Sequence, residues 1–458
     1  MPEIIIIGGG ITGLSAAWEA QQSGISFALL EKEDRWGGKV HTEIIDLPEG
    51  QAIIDGGPES FITRKPEAWD LAGELGIRDS VINPGAETRH MYILDGGTPV
   101  EVPLAPVKFI TSPIMSGFGK LRLLAEPFQP AKSDSADESL ADFVSRRLGR
   151  EALDQFIGPI LGGIYNTDPD TQSILVSSPI MREMEAEYGG LVKAVFGRMR
   201  KARKNKPVDE EKKPRFGAFA QGLQELTDEM VRQLKGDLRL SVEITKIEKN
   251  DAVYQVTLSD GETLSAKSLI FATPANVTAK LLVGVADEAS AKLSTIAHQN
   301  IGTVTLIYRE EDVQTNFRVH GLMIPRREKR AIDAVTFTSL KMPSRSPKGY
   351  GMIRVFFGGG KPEVAEVSDA GLLDIVRAEL KSTIGITAEP LQIVPFRWLK
   401  SFPQANVGHL DFFDEIERTL PEGIYLAGSS YRGIGVPDCI QQGRQAVKKY
   451  VTARKALA

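Results

Sequence analysis

The chain is predicted to be an α/β protein: a parallel sheet covered by helices, a second part built on antiparallel strands, and an inserted helical part. Three observations predict it. Four consecutive isoleucines, Ile4–Ile7, are apolar on both faces, as a parallel strand covered from two sides must be. Gly8, Gly10 and Gly13 follow at the G-x-G-x-x-G spacing and open a helical pattern. Finally, 458 residues are too many for one core, and a helical block near 103–215 interrupts the strand-rich segments.

Taken in order, the glycines have separate tasks. Gly8 makes a tight turn, Gly10 lets a diphosphate approach the backbone, and Gly13 lets the helix over about 11–23 pack closely on the strand. The amides of Ile11 and Thr12 then face the ligand's charge. Gly24 stops the helix, and residues 25–30 read as the second strand. Glu31 ends it, where a carboxylate accepts the hydrogen bonds of a ribose diol and repels a 2′-phosphate. This is a Rossmann-like dinucleotide fingerprint. Arg35-Trp36-Gly37-Gly38-Lys39 adds a second glycine pair and cations that can wrap the same diphosphate. That arrangement resembles the flavoprotein form of the fold, in which FAD is held permanently.

Composition sets bounds. Hydrophobic residues at 42% and charged residues at 25% are ordinary for a globular protein. A net charge of −5 gives no reason to expect nucleic acid, so any anionic ligand must meet a local patch. One cysteine, Cys439, and five scattered histidines argue against a disulfide or a metal site. The absence of a secretory signal and of a long apolar run points to the cytoplasm, with a peripheral membrane contact left open.

Further along, Asp55-Gly56-Gly57-Pro58-Glu59 marks backbone that turns or passes something flat, and 65–75 an amphipathic helix. Residues 89–102 read as a hairpin turning at Gly96-Gly97. Residues 156–165 hold three glycines, fitting either a close helix crossing or a pocket wall. Residues 193–215, with ten Lys or Arg against three acids, read first as a solvated loop and second as a docking patch. A helix over 223–234 precedes strands at 238–247, 252–258 and 263–272, then at 302–308, 334–338 and 352–357. Finally, Gly423–Asp438 reads as strand, glycine turn and helix start, with Pro437 in the first turn. Free amides there suit the negative charge of a reduced flavin.

At this point a resemblance spans the whole chain. Residues 8–38, 55–65, 143–165, 396–408 and 425–443 look like those of the oxygen-dependent protoporphyrinogen and coproporphyrinogen III oxidases, within the amine-oxidase-like and GDI-like FAD superfamily. Gly162-Gly-Ile-Tyr-Asn and Gly435-Val-Pro-Asp-Cys-Ile carry it most specifically. It implies an FAD-binding domain (1–88, 216–290 and 419–458), a substrate domain (89–102 and 291–418) and an inserted helical domain (103–215) that in some relatives contacts membrane. It also implies removal of hydrogens from porphyrinogen bridges with O2 as acceptor and no strong general base. A transient contact with a ferrochelatase or a membrane surface would follow.

The FAD contacts so implied are Gly8, Gly10, Ile11, Thr12, Gly13, Glu31, Lys32, Arg35, Gly37, Gly38, Lys39, Gly56, Gly57, Pro58, Val242, Ile244, Ala272, Gly428, Ser429, Gly435, Val436 and Pro437. Ser429 stands where many superfamily members place an acid, which leaves backbone amides to hold the flavin. Arg64 and Lys65 resemble the Gram-positive type, which takes coproporphyrinogen III. With Arg397 they are the expected partners of its four propionates, and Ile164 and Tyr165 the expected pocket wall. Protoporphyrinogen IX is the alternative substrate. An amine oxidase or desaturase, or a flavin-free binding protein like the Rab GDP-dissociation inhibitors, are the rival functions.

Overall fold

In the computed structural model, residues 1–85, 90–103, 111–165, 167–204, 213–315 and 320–457 are described, without the side chains of 162–165, 202–204 and 457. The central sheet has five strands, all parallel, in the order Asp237–Arg239, Phe27–Leu30, Ile4–Ile7, Ser268–Phe271, Ile424–Leu426. Ile4–Ile7 is the middle strand. Its side chains alternate between two cores: Ile4 and Ile6 join one, Ile5 and Ile7 the other, all nearly inaccessible. At about 1.5–3 kcal/mol per fully buried side chain, these four positions anchor both layers.

One layer contains the helices Ile11–Gln22, Gln224–Gln233 and Val436–Leu457. The other contains a three-stranded antiparallel sheet (Ile244–Asn250, Val253–Leu258, Thr263–Ala266) and the helices Ala275–Leu281, Asp287–Ser294 and His409–Thr419.

A seven-stranded sheet forms the second part, in the order Gln392–Pro403, His298–Arg309, Tyr350–Phe357, Ala334–Phe337, Gly321–Met323, Met91–Asp95, Thr98–Glu101. The helix Asp369–Ile384 covers one face, packing Leu372, Val376 and Leu380 on Val304, Leu306, Val335 and Ile353. The hairpin of Met91–Asp95 and Thr98–Glu101 forms its far edge, and Gly96 and Gly97 adopt the positive φ values of 56° and 78° that its two-residue turn requires.

The described inserted part includes the helices Leu140–Leu148, Gly158–Tyr165, Pro179–Tyr188 and Leu191–Lys204. A fully buried pair joins two of its segments: Arg147 meets Glu126, whose carboxylate also accepts from the Leu191 and Val192 amides at 2.8 and 3.0 Å.

Three expectations change. Residues 238–247 are two elements, because Asp237–Arg239 pairs with Phe27–Leu30 before Ser241 enters a left-handed conformation (φ 55°) and starts another sheet. Residues 263–272 divide likewise at Lys267, between Thr263–Ala266 and Ser268–Phe271. The basic stretch is not a loop throughout: Leu191–Lys204 is helical, while 205–212 lies outside the described residues. Residues 156–165 run through a π turn at Leu153–Ile157 into the helix Gly158–Tyr165.

Candidate functional site

The first glycine turn is held against the central sheet by contacts that exclude a side chain. A Cβ on Gly13 would sit 1.9 Å from the Gly8 carbonyl oxygen, and one on Gly8 would sit 3.0 Å from that of Ala272. Gly8 also has φ +106°, which L side chains rarely adopt. Gly10 precedes the helix Ile11–Gln22 with no side-chain cap, so the first amides of Ile11 and Thr12 are left for another acceptor.

The second glycine pair lies on the first. Gly37 donates to the Gly9 carbonyl at 2.9 Å and forms a parallel bridge with Gly10, while Gly38 sits so close that a Cβ on it would be 3.1 Å from Gly10 Cα. Arg35 folds back on this loop, donating to the Gly38 carbonyl at 2.7 Å and the Trp36 carbonyl at 3.3 Å. Glu31 stands beside the turn. One carboxylate oxygen accepts from the Gly9 amide at 2.5 Å and the other from Glu33 at 2.9 Å, while its carbonyl accepts from Val242 at 2.9 Å. Val242 is thereby next to Glu31, with Ile244 starting the adjoining strand. Lys32 turns outward to Glu243 at 2.9 Å.

The chain's far end arrives at the same place. The helix Val436–Leu457 crosses Ile11–Gln22 where a Cβ on Gly443 would lie 2.2 Å from the Thr12 carbonyl oxygen. The two helix starts are therefore neighbours, and a Cβ on Gly428 would be 3.8 Å from Thr12 Oγ1. Val436 and Pro437 are buried, and Gly435 closes the first helical turn by accepting from Cys439 at 2.9 Å. Burial pushes the Cys439 thiol up to about 11, so it stays protonated near neutrality. Ser429 is half-buried; its neighbour Ser430 accepts from the Ala275 amide at 3.1 Å and lies 3.0 Å from His298 Nε2. His298 Nδ1 lies 2.9 Å from the Ile296 carbonyl, which makes Nδ1 the protonated nitrogen and Nε2 the acceptor from Ser430. Burial and then Lys39 hold the His298 pKa below its ordinary value.

The Gly56-Gly57-Pro58 loop passes between the two large sheets. The Gly56 carbonyl accepts from Thr303 and from Trp398 Nε1, both at 3.0 Å, and the Gly57 carbonyl accepts from Arg354 at 2.6 Å. A Cβ on Gly56 would be 2.3 Å from the Phe396 ring. At the loop's end Glu59 is bound by Lys341 and, at 2.9 Å, by Arg354. Burial alone would raise the Glu59 pKa, but Lys341 and Arg354 outweigh it and hold the carboxyl far below its usual range. Lys39, just past the second glycine pair, donates to the Ser401 carbonyl. Enclosure of its ammonium lowers the pKa to about 8.

Of the residues expected to meet substrate, Lys65 pairs with Asp438 at the start of the last helix, and Arg64 is exposed next to it. Arg397 is not brought to this place. Side chains alternate along a strand, so Phe396 faces Gly56 while Arg397 points to the other face, bonded to Asp369 at 2.6 Å and the Val367 carbonyl at 3.0 Å. Ile164 and Tyr165 end the helix Gly158–Tyr165, but their side chains lie outside the described residues.

Sequence reasoning missed Arg354, Lys341, Thr303 and Trp398. Register places three of them: Arg354 sits opposite Thr336 and Thr305, Thr303 opposite Phe356 and Phe396, and Trp398 opposite Ile301. The alternation Met352, Arg354, Phe356 in an apolar strand was the available signal.

The site suits a flavin dinucleotide by its own geometry, since paired glycine turns, an uncapped helix start and a ribose-type carboxylate converge within one cradle. Among the described residues there is no group of side chains fit to hold a metal. The family model for flavin containing amine oxidoreductases matches residues 11–449. The coproporphyrinogen III oxidases of Bacillus subtilis and Staphylococcus aureus are each 30% identical to this chain, with 98% of both partners covered in each comparison. A crystal structure from Exiguobacterium sp. 255-15, named for protoporphyrinogen oxidation, superposes with a TM-score of 0.84 at 25% identity, covering 98% of each chain. With cradle, family match and full-length relatives in agreement, the chain belongs to the FAD-dependent oxidoreductases of the flavin-containing amine oxidoreductase family, in the company of the porphyrinogen oxidases.

Proposed function

We propose that this protein oxidises coproporphyrinogen III to coproporphyrin III, with O2 as the final acceptor. The observation that carries the reading is the full-length similarity to two coproporphyrinogen III oxidases, joined to a glycine cradle that both chain ends build. When bound, the flavin supplies two-electron acceptance from the substrate and passes the electrons on to oxygen.

The chain's own residues supply the setting. Gly10, Gly37 and Gly38, with the amides of Ile11 and Thr12, would hold the diphosphate, and Glu31 with Val242 beside it would receive the adenosine ribose. The uncharged amides at Val436 offer positive potential to the ring without a titrating group. The 55–60 loop, pinned by Thr303, Trp398 and Arg354, fixes the spacing between the dinucleotide-binding part and the open face of the seven-stranded sheet. Lys65 and Arg64 stand at the edge as cations for propionates. In this reading the three-part division of the chain separates cofactor, substrate and surface roles. The test is oxygen uptake and porphyrin fluorescence with each porphyrinogen in turn. Faster turnover of the tetracarboxylate is expected; faster turnover of protoporphyrinogen IX would reassign the substrate.

The inserted part supports a second, narrower proposal, a peripheral membrane contact. Phe118, Leu121, Leu124, Phe128, Val195, Phe196 and Met199 are exposed, and Glu126 ties their two segments together. Lys193, Arg200 and Lys201 are exposed among them, a charge that suits anionic lipid. Among the described residues no helix is long and apolar enough to cross a membrane. Flotation with anionic but not neutral vesicles is expected, and its loss in Phe118→Ser/Phe196→Ser. Absence of the protein from anionic vesicles would refute the contact.

A further inference from the structure

Two carboxylates and three cations meet where the 55–59 loop crosses the seven-stranded sheet. Asp55 pairs with Arg345 at 2.5 Å, both side chains 1% exposed, and Arg345 also donates to the Phe219 carbonyl at 3.1 and 2.6 Å. Arg354, 2% exposed, divides itself between Glu59 at 2.9 Å and the Gly57 carbonyl at 2.6 Å. Both arginines are therefore committed to holding the loop. Lys341 is different. Its ammonium meets the other oxygen of Glu59, a carboxylate that Arg354 already neutralises, and its side chain is 26% exposed.

The local balance of two acids against three bases leaves one positive charge over, and solvent access assigns that charge to Lys341. A lysine in such a position is often only a solvated partner, contributing little. Here, however, its helical turn Thr338–Lys341 sits at the end of the strand Ala334–Phe337, beside the face that carries Thr336 and Arg354. An incoming carboxylate can bond Lys341 while Glu59 keeps Arg354, so no buried charge is left unpaired.

We propose that Lys341 is a specificity-determining contact for a carboxylate of the substrate, bridging it to Glu59 at the rim of the 55–59 loop. The inference rests on the porphyrinogen reading and deepens it, because it supplies a cation that a tetracarboxylate uses and a dicarboxylate can forgo. The test is steady-state kinetics of the flavin-loaded full chain with coproporphyrinogen III and protoporphyrinogen IX, for wild type, Lys341→Gln and Lys341→Arg. For Lys341→Gln, KM for the tetracarboxylate is expected to rise about tenfold, equivalent to about 1.4 kcal/mol. Its kcat, flavin content and KM for the dicarboxylate stay within about twofold of wild type, and Lys341→Arg restores most of the loss. Equal KM shifts for both substrates, or a loss confined to kcat or flavin content, would show that Lys341 serves only the loop and overturn the inference alone. A wild-type protein that oxidises neither porphyrinogen would overturn the underlying reading with it.

Discussion

Lys39 concentrates the physics of the site in one side chain. It follows the second glycine pair, ends on the Ser401 carbonyl, and has a pKa lowered by burial from 10.5 to about 8. Between those values the unfolded chain holds a proton that the folded chain has released, so stability rises with pH there. Below about 8 the cost of enclosing the ammonium is fully present. In urea unfolding of the flavin-free protein, the stability of wild type relative to Lys39→Met should therefore rise by up to about 3 kcal/mol from pH 8 to pH 10.5. A difference independent of pH would show the ammonium to be solvated. Glu31 and the paired glycines were readable in advance, because their work depends on local spacing. Arg354 was not: a lone cation in a strand reads as a surface residue until register places it opposite Thr336 and Thr305.

Between elements, the decisive contact is the crossing of the helices Ile11–Gln22 and Val436–Leu457. Gly443 permits it, since a Cβ there would press to 2.2 Å from the Thr12 carbonyl and 3.1 Å from the Ala16 amide nitrogen. Both neighbours are backbone, so relief requires the helices to part. Gly443→Ala is expected to destabilise the protein by about 1–3 kcal/mol, the usual range for overpacking, and to weaken FAD binding because two helix starts move apart. Thermal unfolding with flavin titration checks it; unchanged stability and affinity would mean the crossing is slack. Helix starts and glycine turns were legible from their residues, whereas strand ends at Arg239 and Lys267 were not. There the apolar pattern runs on while the chain changes sheets, and only non-local pairing marks the break. In Leu191–Lys204, charge masked the helical spacing of Val195 and Met199.

For the molecule as a whole, one parallel sheet gathers strands from residues 4–7, 27–30, 237–239, 268–271 and 424–426, and the cradle lies where its first and last helices meet. The start and end of the chain could be recognised separately, each with its glycines and helix start. Their contact, and the sorting of Phe396 and Arg397 to opposite faces of one sheet, follow only from the assembled strands. Local spacing made the glycine cradle legible, whereas only long-range register decides which side chains share a face of the seven-stranded sheet. In the proposed reaction a flavin held by both chain ends is reduced directly by a porphyrinogen. Anaerobic mixing of the purified, flavin-loaded protein with coproporphyrinogen III tests it most directly: the yellow absorbance should bleach in one turnover and return when oxygen is admitted. A protein that carries no flavin, or one whose flavin is bleached by a primary amine but not by the porphyrinogen, would contradict it.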